Sequence, residues 1–204
     1  MKFQSMVLLG LLCGLQVGAS ALAEGSAEAG QAKAEPCVAC HGVNGHSVNP
    51  LWPSLAGQNV AYIQRQLQAF KSGARQDPLM TPMAMVLSDE DIADLAAFYA
   101  SQAPTATLEA EPSKVELGRR LYMGGDLDSG VAACAACHSP AGNGNPGAGY
   151  ALLRGQHAAY VAAQLKAYRS GTRQTDPGEM MRQIAKGMTD EQIDAVASFI
   201  QGLR

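Results

Sequence analysis

This sequence has few aromatic residues, no excess of basic charge and, after its N-terminal segment, no long hydrophobic run. After its first 25 residues no stretch holds 18 consecutive apolar residues, so we expect no membrane-spanning helix in the mature chain. The formal net charge of −3 carries no basic excess of the kind that binds nucleic acid, and we expect no nucleic-acid partner. With 47% apolar and 16% charged residues, the 204-residue chain is too apolar to be disordered, and its length predicts one or two domains.

The N-terminal segment has the features of a secretory signal peptide. Lys2 gives a positively charged start, residues 7–17 form a short apolar run, and Ala21-Leu22-Ala23 fits the small-x-small cleavage pattern. We therefore predict a cleaved signal peptide over residues 1–23 and a mature chain that begins at Glu24. An uncleaved anchor helix is the alternative, which the shortness of the apolar run disfavours.

Cysteine is scarce, and its placement is unusual for an exported chain. Removal of residues 1–23 takes away Cys13 and leaves four cysteines, an even number that usually indicates disulfides in exported proteins. The four fall into two Cys-x-x-Cys pairs, and a histidine follows each pair directly. These motifs are Cys37-Val38-Ala39-Cys40-His41 and Cys134-Ala135-Ala136-Cys137-His138. The histidine at the fifth position of each motif indicates a function other than a disulfide.

Internal repetition organises the chain into two copies of one domain. Residues 57–76 read GQNVAYIQRQLQAFKSGARQ and residues 155–174 read GQHAAYVAAQLKAYRSGTRQ, with eleven of twenty positions identical at an offset of 98. The Cys-x-x-Cys-His motifs recur at an offset of 97, and residues 88–92 recur at 189–193. We predict an N-terminal domain over residues 24–103, a linker over 104–115 with prolines and small residues, and a C-terminal domain over 116–204.

The pattern of apolar residues is helical throughout. Apolar residues recur at helical spacing from Val60 to Phe70, and Ser72-Gly73 is suited to end that helix. A serine or threonine N-cap with a partner three residues later predicts helices after positions 88 and 189, and a further helix is predicted near 113–123. No segment alternates with the period of two that predicts a strand, so we predict an all-α fold.

The spacing of the two motifs suits covalent attachment of haem. Two thiols separated by one helical turn match the two vinyl groups of the porphyrin, and the adjacent His41 or His138 supplies an axial nitrogen to the iron. A thioredoxin-like pair would need a βαβ context that the pattern lacks, a four-cysteine zinc site would have to join both domains, and disulfides would leave both histidines unexplained. We therefore predict two covalent haem c groups. The attachment residues are Cys37 and Cys40 for the first haem and Cys134 and Cys137 for the second.

Methionine is predicted to be the sixth iron ligand, on the same register in both copies. Methionines are common core residues, and each half holds several. Only Met80 and Met181 stand at the same distance, eight residues, before the N-cap of the following helix. We predict that these two bind iron, with Met83 as the main rival in the first domain. His46 and His157 do not recur, and we expect both to be solvated side chains.

With these motifs in place, the sequence resembles the dihaem cytochromes c4, which consist of two class I cytochrome c domains. The resemblance covers nearly the whole mature chain and rests on segments 37–42, 53–58, 80–92, 121–138, 155–156 and 180–193. It implies an all-α tandem of two small helical domains, each wrapped around a covalent haem, with the haem propionates near the domain interface. In that family the motif histidine and a methionine before the last helix bind iron. The axial pairs implied here are His41 with Met80 and His138 with Met181.

The resemblance also implies a function in electron transfer. The family carries single electrons in the periplasm, from quinol-oxidising complexes of the quinol–cytochrome c reductase type toward terminal oxidases or reductases. A haem with histidine and methionine bound has no vacant coordination position, so it favours electron exchange over catalysis. We therefore expect a periplasmic electron carrier and not an enzyme. Redox proteins are its expected partners, and peripheral association with a membrane is left open.

Two positions depart from the family pattern in the second domain. Pro53, whose carbonyl is expected to accept the Nδ1–H of His41, corresponds to Ala151, where the backbone is less restrained. The glycine that follows the first motif is Gly42, and its counterpart is Ser139. We therefore expect the surroundings of the second motif histidine to be fixed less firmly than those of the first.

Two other functions fit the same motifs. A dihaem peroxidase-like enzyme would need one iron with an open or displaceable ligand, which the duplicated methionine disfavours. A haem-bearing subunit of a larger oxidoreductase would depend on a partner chain. Both alternatives are open at the level of the sequence.

Acidic charge is concentrated in the first half of the mature chain. Residues 24–103 carry four basic and eight acidic side chains, a net charge of −4, whereas residues 104–204 carry ten of each. We hypothesise that the two halves present different surfaces to the electron donor and acceptor and that this field orients docking. The alternative is that the charges are solvated helix faces.

Overall fold

The computed structural model describes residues 24–104 and 108–204 of the chain. The predicted signal peptide and Cys13 lie outside the described residues, as do residues 105–107 of the predicted linker. Ten α-helices occur in the described ranges, with three short 3-10 turns and two isolated β-bridges between them. These two ranges hold no β-strand, so the all-α prediction is confirmed.

The helices of the second half follow the order of those in the first. The first five are α1 (Ala27–Lys33), α2 (Glu35–His41), α3 (Val60–Lys71), α4 (Met80–Met85) and α5 (Asp89–Ala100). The second five are α6 (Pro112–Gly124), α7 (Ala135–His138), α8 (Ala158–Ser170), α9 (Met180–Lys186) and α10 (Asp190–Gln201). Helices α1 to α5 therefore correspond one by one to α6 to α10, in agreement with the repeat. Across both described ranges, no helix is long and apolar enough to cross a membrane.

In each half, the first helix packs across the last one at a glycine. A Cβ atom on Gly30 would overlap the backbone carbonyl of Asp94 and the side chain of Phe98 in α5. Gly118 of α6 approaches α10 in the same way, against the carbonyl of Ala195. Because glycine allows backbone to lie directly on backbone, α1 with α5 and α6 with α10 share the most extensive helix contacts in the described chain.

Charge stabilises the first of these two crossings. The Lys33 ammonium lies 2.6 Å from Oδ2 of Asp94 and 2.8 Å from Oδ1 of Asp91. The same Asp94 carboxylate accepts the backbone N–H of Ser26, which caps α1, at 2.7 Å. Lys33 is the main reason why the pKa of Asp94 is held below its usual range.

The predicted helix ends agree with the observed caps. Ser88 Oγ accepts from the N–H of Asp91 at 3.0 Å, and the Asp91 carboxylate accepts from the N–H of Ser88 at 2.9 Å. Thr189 and Gln192 form the same reciprocal pair at 3.2 and 2.9 Å. Helix α6 begins at Pro112, because proline is well suited to the first helical turn. The last residues of the predicted linker, 112–115, are therefore helical.

Each half has its own hydrophobic core. The buried residues of the first cluster are Ala34, Ile63, Leu95, Ala96, Phe98 and Tyr99. Those of the second are Tyr122, Val131, Val161, Leu165, Met188, Ile193, Val196, Ala197 and Ile200. Two separate cores support a division of the chain into two domains.

The two domains meet through polar side chains that the repeat places in identical pairs. Each of these side chains takes part in a hydrogen bond across the domain boundary: Gln58 and Gln156, Tyr62 and Tyr160, Gln66 and Gln164, Arg75 and Arg173. Because the bonds occur in equivalent pairs, an approximate two-fold axis relates one domain to the other. Residues at equivalent positions of the two copies therefore form these contacts between the domains.

Candidate functional site

The first Cys-x-x-Cys-His motif lies on α2, which has a proline in its first turn. Cys37 and Cys40 are one helical turn apart, so their thiols lie on the same side of the helix. His41 is the last residue of α2, and Gly42 ends the helix with a φ of +76° and a ψ of +168°. Glycine adopts this backbone conformation without strain, which lets the chain turn away directly after the histidine.

The second motif repeats this arrangement with one strained residue. Cys134 is the N-cap of α7, and His138 is its last residue. Ser139 ends the helix with a φ of +66° and a ψ of +156°, close to the conformation of Gly42. This region is essentially restricted to glycine, and a residue with a side chain is strained there by about 1–3 kcal/mol. Both domains therefore have the same backbone conformation after the motif histidine, although Ser139 is strained in this conformation and Gly42 is not.

The same hydrogen bond orients both motif histidines. Nδ1 of His41 lies 2.8 Å from the carbonyl oxygen of Pro53, and Nδ1 of His138 lies 2.8 Å from that of Ala151. The looser contact expected at Ala151 is not observed, since the two distances are equal. Because a carbonyl can only accept, each Nδ1 carries its proton and each Nε2 keeps the lone pair that a metal ion needs.

Burial keeps both imidazoles in the form that can bind metal. His41 is only 6% exposed. Burial lowers the pKa of His41 and of His138 below the usual histidine value, and the hydrogen bonds to Pro53 and Ala151 oppose this effect only in part. The lowered pKa favours the neutral ring, which is the form that can bind a metal ion.

The motif cysteines have the properties of attachment sites rather than of redox thiols. Burial raises the pKa of Cys37, and it raises that of Cys134 to about 11, whereas a redox-active Cys-x-x-Cys pair has a lowered thiol pKa. The four motif cysteines form no disulfide. In the part of the chain that the structure describes, no three His, Cys, Asp or Glu side chains gather into a metal-binding group. These observations disfavour the thioredoxin-like, disulfide and zinc alternatives.

The two candidate methionines lie in the first turn of corresponding helices. Met80 is the first residue of α4, which packs on α3, and Met181 is the second residue of α9, which packs on α8. Met181 also contacts the core cluster of the second domain. Met83 lies one turn further along α4 and is 42% exposed, whereas Met80 is half-buried.

An aspartate anchors each methionine-bearing segment, a feature that the sequence patterns above did not indicate. Asp77 Oδ1 accepts the backbone N–H groups of Leu79 and Met80, both at 2.9 Å. Asp176 accepts the backbone N–H and the guanidinium Nε–H of Arg182, again both at 2.9 Å. An Asp-Pro dipeptide before each methionine, at 77–78 and 176–177, is the sequence feature that could have indicated these anchoring aspartates.

His157 is buried, and the prediction that it is a solvated side chain is wrong. It is 5% exposed, and its Nε2 lies 2.8 Å from the carbonyl oxygen of Ser47 in the other domain. The lack of a counterpart in the repeat suggested a surface position, but the domain interface covers this ring. His46 is half-buried.

Two arginines enter the domain interface without an acidic partner. Arg173 is 4% exposed. Its guanidinium donates to Tyr62 Oη at 2.9 Å and to Gln66 Oε1 at 2.8 Å. The guanidinium of Arg75 donates to Gln164 Oε1 at 2.8 Å. Among the described residues neither arginine forms an ion pair, so the interface holds positive charge that these neutral acceptors do not neutralise.

The residues of each domain fit a covalently attached haem. Cys37 and Cys134 pack against the apolar core cluster of their own domain, which suits a flat apolar ring. Each motif offers two thiols on one helix side and a neutral imidazole with Nε2 available.

Comparison with known proteins gives three kinds of match: to a family, to a relative and to a solved structure. The family described as Cytochrome c matches residues 27–103 and residues 115–204. Cytochrome c4 from Azotobacter vinelandii is 46% identical over 206 residues, which covers 96% of this chain and 98% of the relative. The crystal structure of reduced recombinant cytochrome c4 from Pseudomonas stutzeri is similar with a TM-score of 0.86 at 44% identity, and the match covers 88% of this chain and 100% of that chain.

A more distant relative has a different described role. The thiosulfate dehydrogenase electron acceptor of Stutzerimonas stutzeri (strain A1501) is 40% identical over 166 residues, covering 80% of this chain and 76% of that protein. The matches to cytochromes c4 extend further, over nearly the full length of both chains, and the Cytochrome c match occurs once in each half. The chain therefore belongs to the cytochrome c4 family, whose members are electron-transfer proteins that carry two haem c groups.

Proposed function

We propose that this protein is a periplasmic carrier of single electrons between a quinol-oxidising respiratory complex and a terminal oxidase or reductase. Membership of the cytochrome c4 family supports the electron-transfer role, and the predicted signal peptide over residues 1–23 supports export. In this proposal residues 24–103 and 116–204 are the two haem-binding domains, joined by residues 104–115. Because the family consists of electron-transfer proteins, the peroxidase-like alternative has no support.

The proposal assigns the haem-binding residues as the sequence predicts them. The covalent attachment residues are Cys37 and Cys40 in the first domain and Cys134 and Cys137 in the second. The axial ligands are His41 with Met80 and His138 with Met181. Support comes from the matched placement of each residue in the two domains, at the same end of corresponding helices.

The groups of the protein prepare each site for electron exchange without rearrangement. When bound, haem c supplies reversible one-electron chemistry at its iron. The carbonyls of Pro53 and Ala151 hold the Nδ1 proton of each motif histidine, so the ring keeps its tautomer and its orientation when the charge of the site changes. Thioether ligation by methionine stabilises the reduced state relative to a second histidine.

The single observation that carries the proposal is the duplicated histidine environment. Each Cys-x-x-Cys pair is followed by a neutral imidazole whose Nδ1 lies 2.8 Å from a backbone carbonyl, which leaves Nε2 as the ligating nitrogen. Two such environments in one chain support two haems of the same ligation. Electrons can then pass from one domain to the other within one molecule.

The ligand assignment is tested by the visible spectrum of methionine variants of the full, matured protein. Met80→Ala and Met181→Ala should each lose part of the ferric iron–sulphur charge-transfer band, and the double variant should lose all of it. Met83→Ala is the matched control and should keep the whole band, because the Met83 side chain is more exposed than that of Met80. Loss of the band in Met83→Ala with retention in Met80→Ala would overturn the assignment in the first domain.

A second candidate electron donor is a thiosulfate dehydrogenase. The similarity to the thiosulfate dehydrogenase electron acceptor over 80% of this chain favours it. The oxidised protein would be mixed either with a quinol–cytochrome c reductase and quinol or with a thiosulfate dehydrogenase and thiosulfate, and the rate of haem reduction compared. Faster reduction by the quinol-oxidising complex supports the main proposal, and faster reduction by thiosulfate dehydrogenase supports the second.

A further inference from the structure

We propose that Gln58 and Gln156 are positioning residues that act across the domain interface. Each glutamine holds the backbone segment that orients the axial histidine of the opposite domain, so that each domain tunes the reduction potential of the other domain's haem. The inference rests on the proposed ligand roles of His41 and His138. It concerns the protein's own hydrogen bonds, which the structure shows in full.

The first half of this arrangement links Gln156 to His41. The Gln156 amide nitrogen donates to the carbonyl of Ser54 at 2.9 Å, and its oxygen accepts the N–H of Ser54 at 2.9 Å. Ser54 directly follows Pro53, whose carbonyl lies 2.8 Å from Nδ1 of His41. Gln156 is 7% exposed, so water competes little for these bonds.

The second half has the same geometry in the opposite direction. The Gln58 amide nitrogen donates to the carbonyl of Leu152 at 2.9 Å, and its oxygen accepts the N–H of Leu152 at 2.8 Å. Leu152 directly follows Ala151, whose carbonyl lies 2.8 Å from Nδ1 of His138. Gln58 is 6% exposed.

The orientation of each amide is fixed by a further bond within its own domain. The Gln58 oxygen also accepts the N–H of Asn59, and the Gln156 oxygen also accepts the N–H of His157, both at 3.1 Å. Each oxygen therefore faces at least two donors, and each nitrogen faces a carbonyl. A flipped amide would place donor against donor, so these side chains can hold only one orientation.

One peptide group connects each glutamine to the opposite histidine. The carbonyl of Pro53 and the N–H of Ser54 belong to the same peptide unit, as do the carbonyl of Ala151 and the N–H of Leu152. When the N–H donates to a glutamine oxygen, the carbonyl of that unit becomes a stronger acceptor, because hydrogen bonds in a chain polarise one another. The imidazole that donates to this carbonyl becomes a more basic ligand, which favours ferric iron.

The direction of the effect follows from this chain of bonds. Removing the Gln156 amide weakens the acceptor that faces His41 and so favours the reduced state of the first haem. Removing the Gln58 amide does the same for His138 and the second haem. At a fixed ambient potential we expect the ratio of reduced to oxidised haem to rise about two- to tenfold, in the opposite domain only.

The experiment uses the full, matured protein with Gln156→Met and Gln58→Met, which keep the length of the side chain and remove its hydrogen bonds. Redox titrations followed by the haem-methyl NMR signals report each haem separately. Tyr160→Phe is the control, because it removes a cross-domain hydrogen bond to Arg75 that reaches neither histidine segment. We expect Gln156→Met to raise only the first haem's potential, Gln58→Met only the second's, and Tyr160→Phe neither.

Several outcomes would overturn the inference. These are a shift confined to the variant's own domain, equal shifts in both haems, or no shift in a protein with an unchanged low-spin spectrum. A wild-type spectrum without histidine ligation would instead overturn the proposed function. If a variant fails to fold, amide hydrogen exchange of the wild type decides: the N–H groups of Ser54 and Leu152 should exchange slowly, and fast exchange would contradict the proposal.

Discussion

Replacing Ser139 by glycine should relieve strain at the end of the second motif. Its φ of +66° and ψ of +156° lie in a region that is strained by about 1–3 kcal/mol for a residue with a side chain. The matched comparison is Ser139→Ala, which keeps this strain. Both substitutions lose the bond that Ser139 Oγ accepts from the N–H of Asn143 at 2.9 Å. The difference between them therefore isolates the backbone effect.

The expected difference follows from two opposing contributions. Glycine relieves about 1–3 kcal/mol of strain, and its greater freedom in the unfolded chain costs about 0.4–1 kcal/mol. From the middle of both ranges, Ser139→Gly should be more stable than Ser139→Ala by about 1 kcal/mol, which for a domain of this size raises the melting temperature by about 4–8 °C. Thermal unfolding of the matured protein by circular dichroism measures it. Equal stability of the two variants would refute the reasoning.

Three further predictions test other parts of the structure. Gly30→Ala and Gly118→Ala should each lower the free energy of unfolding by about 1–3 kcal/mol, because a methyl group would separate the crossed helices. Gly124→Ala is the control and should not lower it, because there is open space around Gly124. Equal effects of the three substitutions in thermal unfolding would contradict this prediction. Lys33 lowers the pKa of Asp94 in the folded state, so this stabilisation is complete above the unfolded pKa of about 4 and is lost as the pH falls through the folded value. Lys33→Met should therefore weaken the acid dependence of urea unfolding, and an unchanged dependence would contradict it. Association with a redox partner should respond to ionic strength in stopped-flow experiments, and charge reversals within residues 24–103 should change that response; a rate independent of salt would exclude steering by this acidic domain.

Local sequence patterns were sufficient for most of the helices, and the resemblance to the cytochromes c4 supplied the expected histidine environment. The amphipathic spacing over residues 60–70 and the reciprocal caps at Ser88 and Thr189 depend on neighbours within a few positions, and all are present as expected. The bond between His41 and Pro53 joins residues twelve apart within one repeat. This bond was expected from the resemblance, and it recurs between His138 and Ala151 in the second copy.

The domain interface could not be predicted in this way, because its partners lie far apart in sequence. His157 and Arg173 were not recognised as buried, since neither contributes to an apolar pattern and their partners belong to the other domain. A signal was nevertheless present. Several polar positions that are identical in both copies, such as Gln58 with Gln156, meet across the interface, whereas identity at apolar positions is found in the two separate cores.

The central claim is that two haem groups are attached to one chain and that both are closed by two protein ligands. The most direct test is the intact mass of the matured protein, measured together with its visible spectrum in both oxidation states. We expect two covalent haem adducts for each polypeptide and low-spin spectra throughout. Fewer than two adducts, or a five-coordinate high-spin iron in either domain at rest, would contradict the account.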